Sequence, residues 1–263
     1  ENVTGSRYLV EANKRRVLVD CGMYQERDLV QRNWDPFPVA PNSIEAVVLT
    51  HAHIDHCGYL PRLVRDGFKG KVFCTAATAE IAKIVLEDSA KLQAEDAAFK
   101  KKRHEKEGRE DARPVEALYS INDVALACSY LTPAIYGQPV RISEGVDAIF
   151  FDAGHIPGSA IVQMRVREAG RTQTIVFSGD IGRWNRPILK DPVGCPPCDY
   201  LLIESTYGDR LHETVENPPD QMAAVINETY KRGGNVVIPS FAVERAHEIL
   251  YFMHGLLQQG RIP

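Results

Sequence analysis

The hexapeptide His51-Ala52-His53-Ile54-Asp55-His56 constrains this chain more than any other stretch. Four side chains able to ligate a metal fall within six residues, and three of the chain's eight histidines are among them. The preceding run, Glu45-Ala46-Val47-Val48-Leu49-Thr50, is rich in branched apolar residues and reads as a buried strand. Residues two apart on an extended backbone point the same way, so His51 and His53 aim at one point. Asp55 and His56 follow where the chain turns off the strand, and they can aim at a second point nearby. Imidazoles mixed with carboxylates suit zinc and related divalent metals. One ion cannot easily use all four groups at this spacing, so the hexapeptide reads as part of a two-metal centre. Ordinary loop histidines would not cluster in this way.

At 263 residues the chain can hold one large or two modest domains. Its hydrophobic content of 44% and charged content of 25% are those of an ordinary globular protein. No apolar run approaches the ~20 residues of a membrane helix, so no membrane is expected. The start shows no signal-peptide pattern. It also lacks an initiator Met, and the chain is expected to begin inside a longer one. Six cysteines scattered over the sequence fit reduced thiols and a cytoplasmic setting. A net charge of −4 gives no global case for nucleic acid, so any such affinity must come from local basic patches.

Along the chain, residues 3–10 and 16–20 read as strands, the second running into Asp20-Cys21-Gly22. Prolines make residues 24–43 irregular. After the hexapeptide come a short helix at 58–65, a strand at 72–74 and, with Thr75 as N-cap, a helix over 76–103. Ile81, Ile84, Val85, Leu92 and Phe99 are expected on its buried face. Residues 100–111 carry six Lys/Arg against four Asp/Glu, which reads as a solvated helix end. Ser120-Ile121-Asn122-Asp123 is a capping-box-like start for a helix towards Leu131. Strands follow at 140–142, 146–151, 161–167 and 172–178, then at 200–204. The last stretch gives helix 219–231, strand 236–239 and helix 243–259. Cys195-Pro196-Pro197-Cys198 is a lone CxxC, read as two free thiols in a proline turn.

Several strand ends carry polar residues in glycine-rich turns: Asp20, His155 in Gly154-His155-Ile156-Pro157-Gly158, Asp180 in Ser178-Gly179-Asp180-Ile181-Gly182, and Glu204 before Ser205-Thr206-Tyr207-Gly208. Together with the hexapeptide, these resemble the motifs of the metallo-β-lactamase superfamily. The Glu204-Ser205-Thr206-Tyr207-Gly208 segment, with Ile238-Pro239-Ser240-Phe241-Ala242-Val243-Glu244-Arg245, is similar to the β-CASP branch, whose members include RNA endonucleases. The resemblance implies an αββα sandwich over 1–207, incomplete at its C-terminal part, and the beginning of an inserted α/β lobe over 208–263.

It also implies chemistry. His51, His53 and His155 would hold one zinc. Asp55 and His56 would hold a second, and Asp180 would bridge the two. Manganese or iron could replace zinc. Asp20 would steady the ligand loop. Glu204 would orient a later histidine that serves as proton donor. That histidine and the last metal ligand belong to motifs beyond His254, the last histidine here, so the isolated chain is expected to be an inactive piece. The implied activity is hydrolysis of a phosphodiester in single-stranded RNA, with Asp55, Asp180 and Glu204 as catalytic residues. Ser240 and Arg245 would contact phosphate. A homodimer is compatible with the resemblance. Two other readings stand beside this one: a thioester or lactone hydrolase of the same fold, which would not need the inserted lobe, and a non-catalytic scaffold, which would not need every inspected ligand position filled.

Overall fold

A computed structural model describes residues 3–108, 115–211 and 217–263. Two compact units divide the chain: Glu1–Arg183 with Asp191–Glu204, and Trp184–Lys190 with Ser205–Pro263.

The first unit is built on two five-stranded sheets. In one, β1 (Tyr8–Ala12) pairs antiparallel with β2 (Arg15–Val19), and β3 (Ala46–Val48), β4 (Lys71–Thr75) and β5 (Leu131–Ala134) follow in parallel. Parallel strands covered on both faces are apolar throughout rather than alternating. That is why Val17-Leu18-Val19 and Ala46-Val47-Val48 are all buried. Helices α1 (Ile54–Cys57), α2 (Leu60–Arg65), α3 (Ala76–Glu107) and α4 (Ile121–Cys128) complete this half, with α3 packed on β4 and β5. The other sheet is an antiparallel meander of β6 (Val140–Ser143), β7 (Val146–Asp152), β8 (Ala160–Glu168) and β9 (Arg171–Phe177). Strand β10 (Tyr200–Leu202) adds in parallel at its edge. Val17, Val19, Val48 and Phe73 from one sheet meet Phe150, Val162, Met164 and Phe177 from the other in a single core.

Several sequence expectations need correction. Residues 3–7 are not strand, because Ser6 N–H donates to the Asp55 carbonyl and Arg7 Nε to the Gly22 carbonyl, which pulls this segment towards the hexapeptide. The region after α4 is β5, an edge strand that tolerates Pro133. Helix α3 starts on the Thr75 cap as expected, but it turns Thr78, Ala79, Ala82, Leu86, Ser89 and Ala90 inward. Small residues at helical spacing allow close approach to the sheet, and Ile84, Leu92 and Phe99 are left exposed. Of the mixed-charge run 100–111, residues 109–111 lie outside the described residues.

The second unit contains α5 (Pro218–Lys231) and α6 (Arg245–Gln258), which pack on one another. Residues 236–239 form no strand. A strand requires a partner for its backbone groups, and among the described residues of this unit there is none; Val237 stands 86% exposed. All six cysteines are free, with Cys195 and Cys198 exposed. Among the described residues no helix is long and apolar enough to cross a membrane.

Candidate metal centre

The chemistry-bearing residues leave the C-terminal ends of β2, β3, β7, β9 and β10. Open α/β sheets gather their sites at such ends. The parallel pairing Val19↔Val48 sets Asp20 beside the chain leading to Thr50 and His51. The pairing Phe177↔Leu202 sets Ser178 beside Glu204. The two sheets meet here, where Ala160 N–H donates to the Thr50 carbonyl (2.8 Å).

One ligand atom from each of His51, His53, His155 and Asp180 lies within 4.8 Å of the others. His53 Nδ1 is 3.1 Å from both His51 Nε2 and His155 Nε2. Asp180 Oδ2 is 3.5 Å from His51 Nε2 and 3.4 Å from His155 Nε2. A tetrahedral ion with bonds of about 2.0–2.1 Å would space its ligand atoms roughly 3.3 Å apart. The four atoms already stand near the corners of such a figure. The other carboxylate oxygen, Asp180 Oδ1, lies 3.2 Å from His56 Nε2. Asp55 Oδ2 is 3.8 Å from that same nitrogen. Asp180 therefore turns one oxygen to each of two ligand groups.

Buried hydrogen bonds hold the rings. His56 Nδ1 meets Asp20 Oδ2 at 2.7 Å, and Asp20 Oδ1 accepts the Thr50 N–H at 2.8 Å. Asp20 takes a positive φ of 55°, a region that Asp tolerates better than most residues. The His155 loop is shaped by Ser159, whose Oγ accepts from the His155 N–H (3.0 Å), while the Ser159 carbonyl accepts from the Tyr136 hydroxyl (2.8 Å). Thr75 and Thr78 both donate to the Gly158 carbonyl, tying this loop to the start of α3. The Asp180 loop needs two glycines: a Cβ on Gly182 would lie 1.8 Å from the Gly154 carbonyl oxygen, and one on Gly179 would lie 2.7 Å from Thr50 Cβ. Glu204 Oε1 accepts from the Ile181 N–H at 2.5 Å, bracing the loop immediately after Asp180.

Electrostatics separate the histidines. Burial pushes His51 and His53 below their ordinary range and His155 down to about 4, so these rings are neutral and free to ligate. Burial also works against charge on His56, but Asp20 and Asp180 outweigh it and raise its pKa well above the usual value. Asp180 is half-buried, and its hydrogen bonds with His51 and His56 hold it well below the normal carboxylate range. Burial raises Asp55.

The structure thus brings together His51, His53, His155, Asp180 and His56, with Asp55, Asp20 and Glu204 around them. Ser240 and Arg245 belong to the other unit. There Arg245 pairs with the buried Glu248 at 3.1 Å, and Arg186 meets the same carboxylate at 2.9 Å. The sequence reading missed Thr50, Ser159, Thr78 and Tyr136, and it took Thr75 as the helix N-cap without its bond to the His155 loop. Of the missed residues Thr50 had a signal, a hydroxyl at the end of the ligand strand.

An α/β sandwich that gathers a His/Asp cluster able to hold a divalent metal on its strand ends defines the metallohydrolase class. The profile of the metallo-β-lactamase superfamily matches residues 3–220, and the chain belongs to that superfamily. It is 40% identical over 255 residues to a ribonuclease of Thermus thermophilus, covering 96% of this chain and 53% of that protein. It is 31% identical over 256 residues to the transcription termination factor FttA of Methanocaldococcus jannaschii, covering 95% of this chain and 37% of the factor. An RNase J-like protein of the same organism is 32% identical over 259 residues, covering 96% and 52%. The chain spans about half the length of the ribonuclease and just over a third of FttA.

Proposed function

We propose that this chain carries most of the metal centre of a β-CASP ribonuclease that cuts single-stranded RNA using two zinc ions. The carrying observation is Asp180, whose two oxygens face separate ligand groups, His51, His53 and His155 on one side and His56 on the other. In this reading His51, His53 and His155 hold one ion, Asp55 and His56 hold the second, and Asp180 bridges. The donor set fits: three neutral imidazoles and one carboxylate oxygen converge at spacings close to those of a tetrahedral ion's ligands. Two such ions, when bound, polarise a phosphodiester and activate a water for in-line attack.

The chain's own residues supply the rest. Asp20 holds His56 so that Nε2 faces the centre, and Asp55 orients the attacking water. Glu204 braces the Asp180 loop and orients the proton-donating histidine expected from a later motif. Residues 1–207 form the metallo-β-lactamase domain and 208–263 begin the β-CASP lobe. Ser240 and Arg245 are proposed phosphate contacts, although the Arg245–Glu248 pair gives that arginine a structural role as well. Free thiols fit a cytoplasmic enzyme, and a homodimer is compatible with this reading. The choice of RNA rests on the relatives named as ribonucleases.

The test is metal content together with cleavage of a labelled single-stranded RNA by the full-length protein. Two metals per chain and metal-dependent cutting, both lost in Asp180→Ala, support the proposal. Two metals with turnover of a thioester but no cutting of RNA would overturn the substrate. A protein that binds no metal would overturn the mechanism.

A further inference from the structure

Thr50 touches every segment that bears a proposed ligand of the first ion, and each of its polar groups has a partner at the centre. Its N–H donates to Asp20 and its carbonyl accepts from Ala160, where the His155 loop enters β8. Its side chain occupies the space beside Gly179 that a Cβ there would need, next to Asp180. Its hydroxyl lies 2.9 Å and 3.1 Å from the two Asp20 oxygens, 3.0 Å from His51 Nδ1 and 3.5 Å from His56 Nδ1. Both Thr50 and His51 are buried, so no solvent offers an alternative partner.

The donors and acceptors around Thr50 favour one place for each ring proton once Nε2 binds a metal. A carboxylate only accepts, so the hydroxyl proton points to Asp20. The hydroxyl lone pairs then face His51 Nδ1, and a bond forms only if that nitrogen carries the proton. His56 Nδ1 donates to Asp20 Oδ2 in the same way. Each ring keeps its Nδ1 proton when its Nε2, which faces Asp180 Oδ2 in His51 and Asp180 Oδ1 in His56, gives up any proton it carries to bind an ion. We infer that Thr50 is a positioning residue. With Asp20, its single hydroxyl fixes the tautomer of one histidine on each side of Asp180, so that the two metal positions are set together. This inference rests on the metal-ligand reading above and is independent of the RNA substrate.

The experiment compares full-length wild type, Thr50→Val and Thr50→Ser in zinc titrations against a chromophoric chelator, with nitrogen-edited spectra of the histidine rings. Valine keeps the shape and removes the hydroxyl, and serine keeps the hydroxyl. Thr50→Val is expected to weaken zinc binding by about 10–100-fold, the usual effect of losing a partner that orients a ligand. Thr50→Ser should stay near wild type. In the zinc-loaded wild type both His51 and His56 should carry a slowly exchanging proton on Nδ1. Wild-type affinity in Thr50→Val would overturn the inference. So would a serine variant as weak as valine, which would make methyl packing the cause. A proton on Nε2 of either ring in the zinc-loaded wild type would do the same, and that readout stands even if the valine variant fails to fold. A wild type that binds no zinc would overturn the metal reading itself, and this inference with it.

Discussion

The two sides of Asp180 use the same residue types and hold them in opposite charge states. On one side His51, His53 and His155 are packed against one another and kept neutral, His155 down at about 4. On the other side His56 lies between Asp20 and Asp180 and is held protonated well above the usual histidine range. Burial alone favours the neutral ring in all four, so the difference comes from the neighbours. A ring facing other imidazoles and a hydroxyl is ready to ligate. A ring facing two carboxylates must first lose a proton. The first side is preorganised for a cation, and the second is preorganised for positive charge of either kind, proton or metal.

The comparison breaks most completely at the residue the two sides share. Asp180→Ala should remove a ligand from both, and metal analysis of the purified protein is expected to find neither ion retained, with RNA cleavage abolished. Retention of two ions would show that the sides do not depend on a common bridge. His56→Ala should be more selective: one ion retained, one lost, and activity gone. If both ions disappear together, the two sides are one cooperative site and the contrast in their charge states has no consequence for occupancy.

Asp20→Asn sharpens the comparison by separating orientation from charge. Asparagine can still accept from His56 Nδ1–H, so the ring keeps its direction while one of the two carboxylates beside it is gone. Partners of this kind typically contribute about 10–100-fold to metal affinity, and the loss should fall on the His56 side. Calorimetric titration with zinc is expected to show the weaker of two binding steps weakened further and the tighter one little changed.

How much of this was legible in the sequence follows from how local each feature is. The hexapeptide carried its meaning because strand spacing alone aims His51 and His53 together. His155, Asp180 and Glu204 were readable as strand-end residues in small-residue turns, with the family resemblance needed to join positions that are far apart in sequence. The supporting residues were not readable. Nothing near Ser159 or Thr78 in sequence says that their partners are the His155 N–H and the Gly158 carbonyl. Such pairings exist only once the sheets are stacked. Helix α3 misled for a related reason. Its largest apolar residues suggested a buried face, while the sheet selected a row of Ala, Ser and Thr that lets the backbones approach. In the second unit, residues 236–239 have strand composition, but they find no neighbouring strand among the described residues, and β-propensity alone forms no ladder.

The smallest expected effect is also the most direct test of the contrast, since it needs no mutation. Metal binding requires unprotonated imidazole, so affinity falls once the pH drops below the pKa of a ligating ring in the metal-free protein. For His56 that value lies well above 6.5, so its side begins to lose affinity first as the solution is acidified, by about tenfold per pH unit. His51 and His53 titrate below 6.5 and His155 near 4, so their side should hold its ion through the same range. Dialysis against a series of buffers from mildly alkaline to about pH 5, followed by metal analysis, is expected to show two steps with the His56 ion leaving first. In Asp20→Asn, whose affinity on this side starts lower, the tenfold-per-unit fall should set in only at lower pH, because the carboxylate that helped His56 keep its proton has been removed. A single step, or a fall whose onset Asp20→Asn leaves in place, would mean that the bound ions rather than the surrounding carboxylates govern both sides.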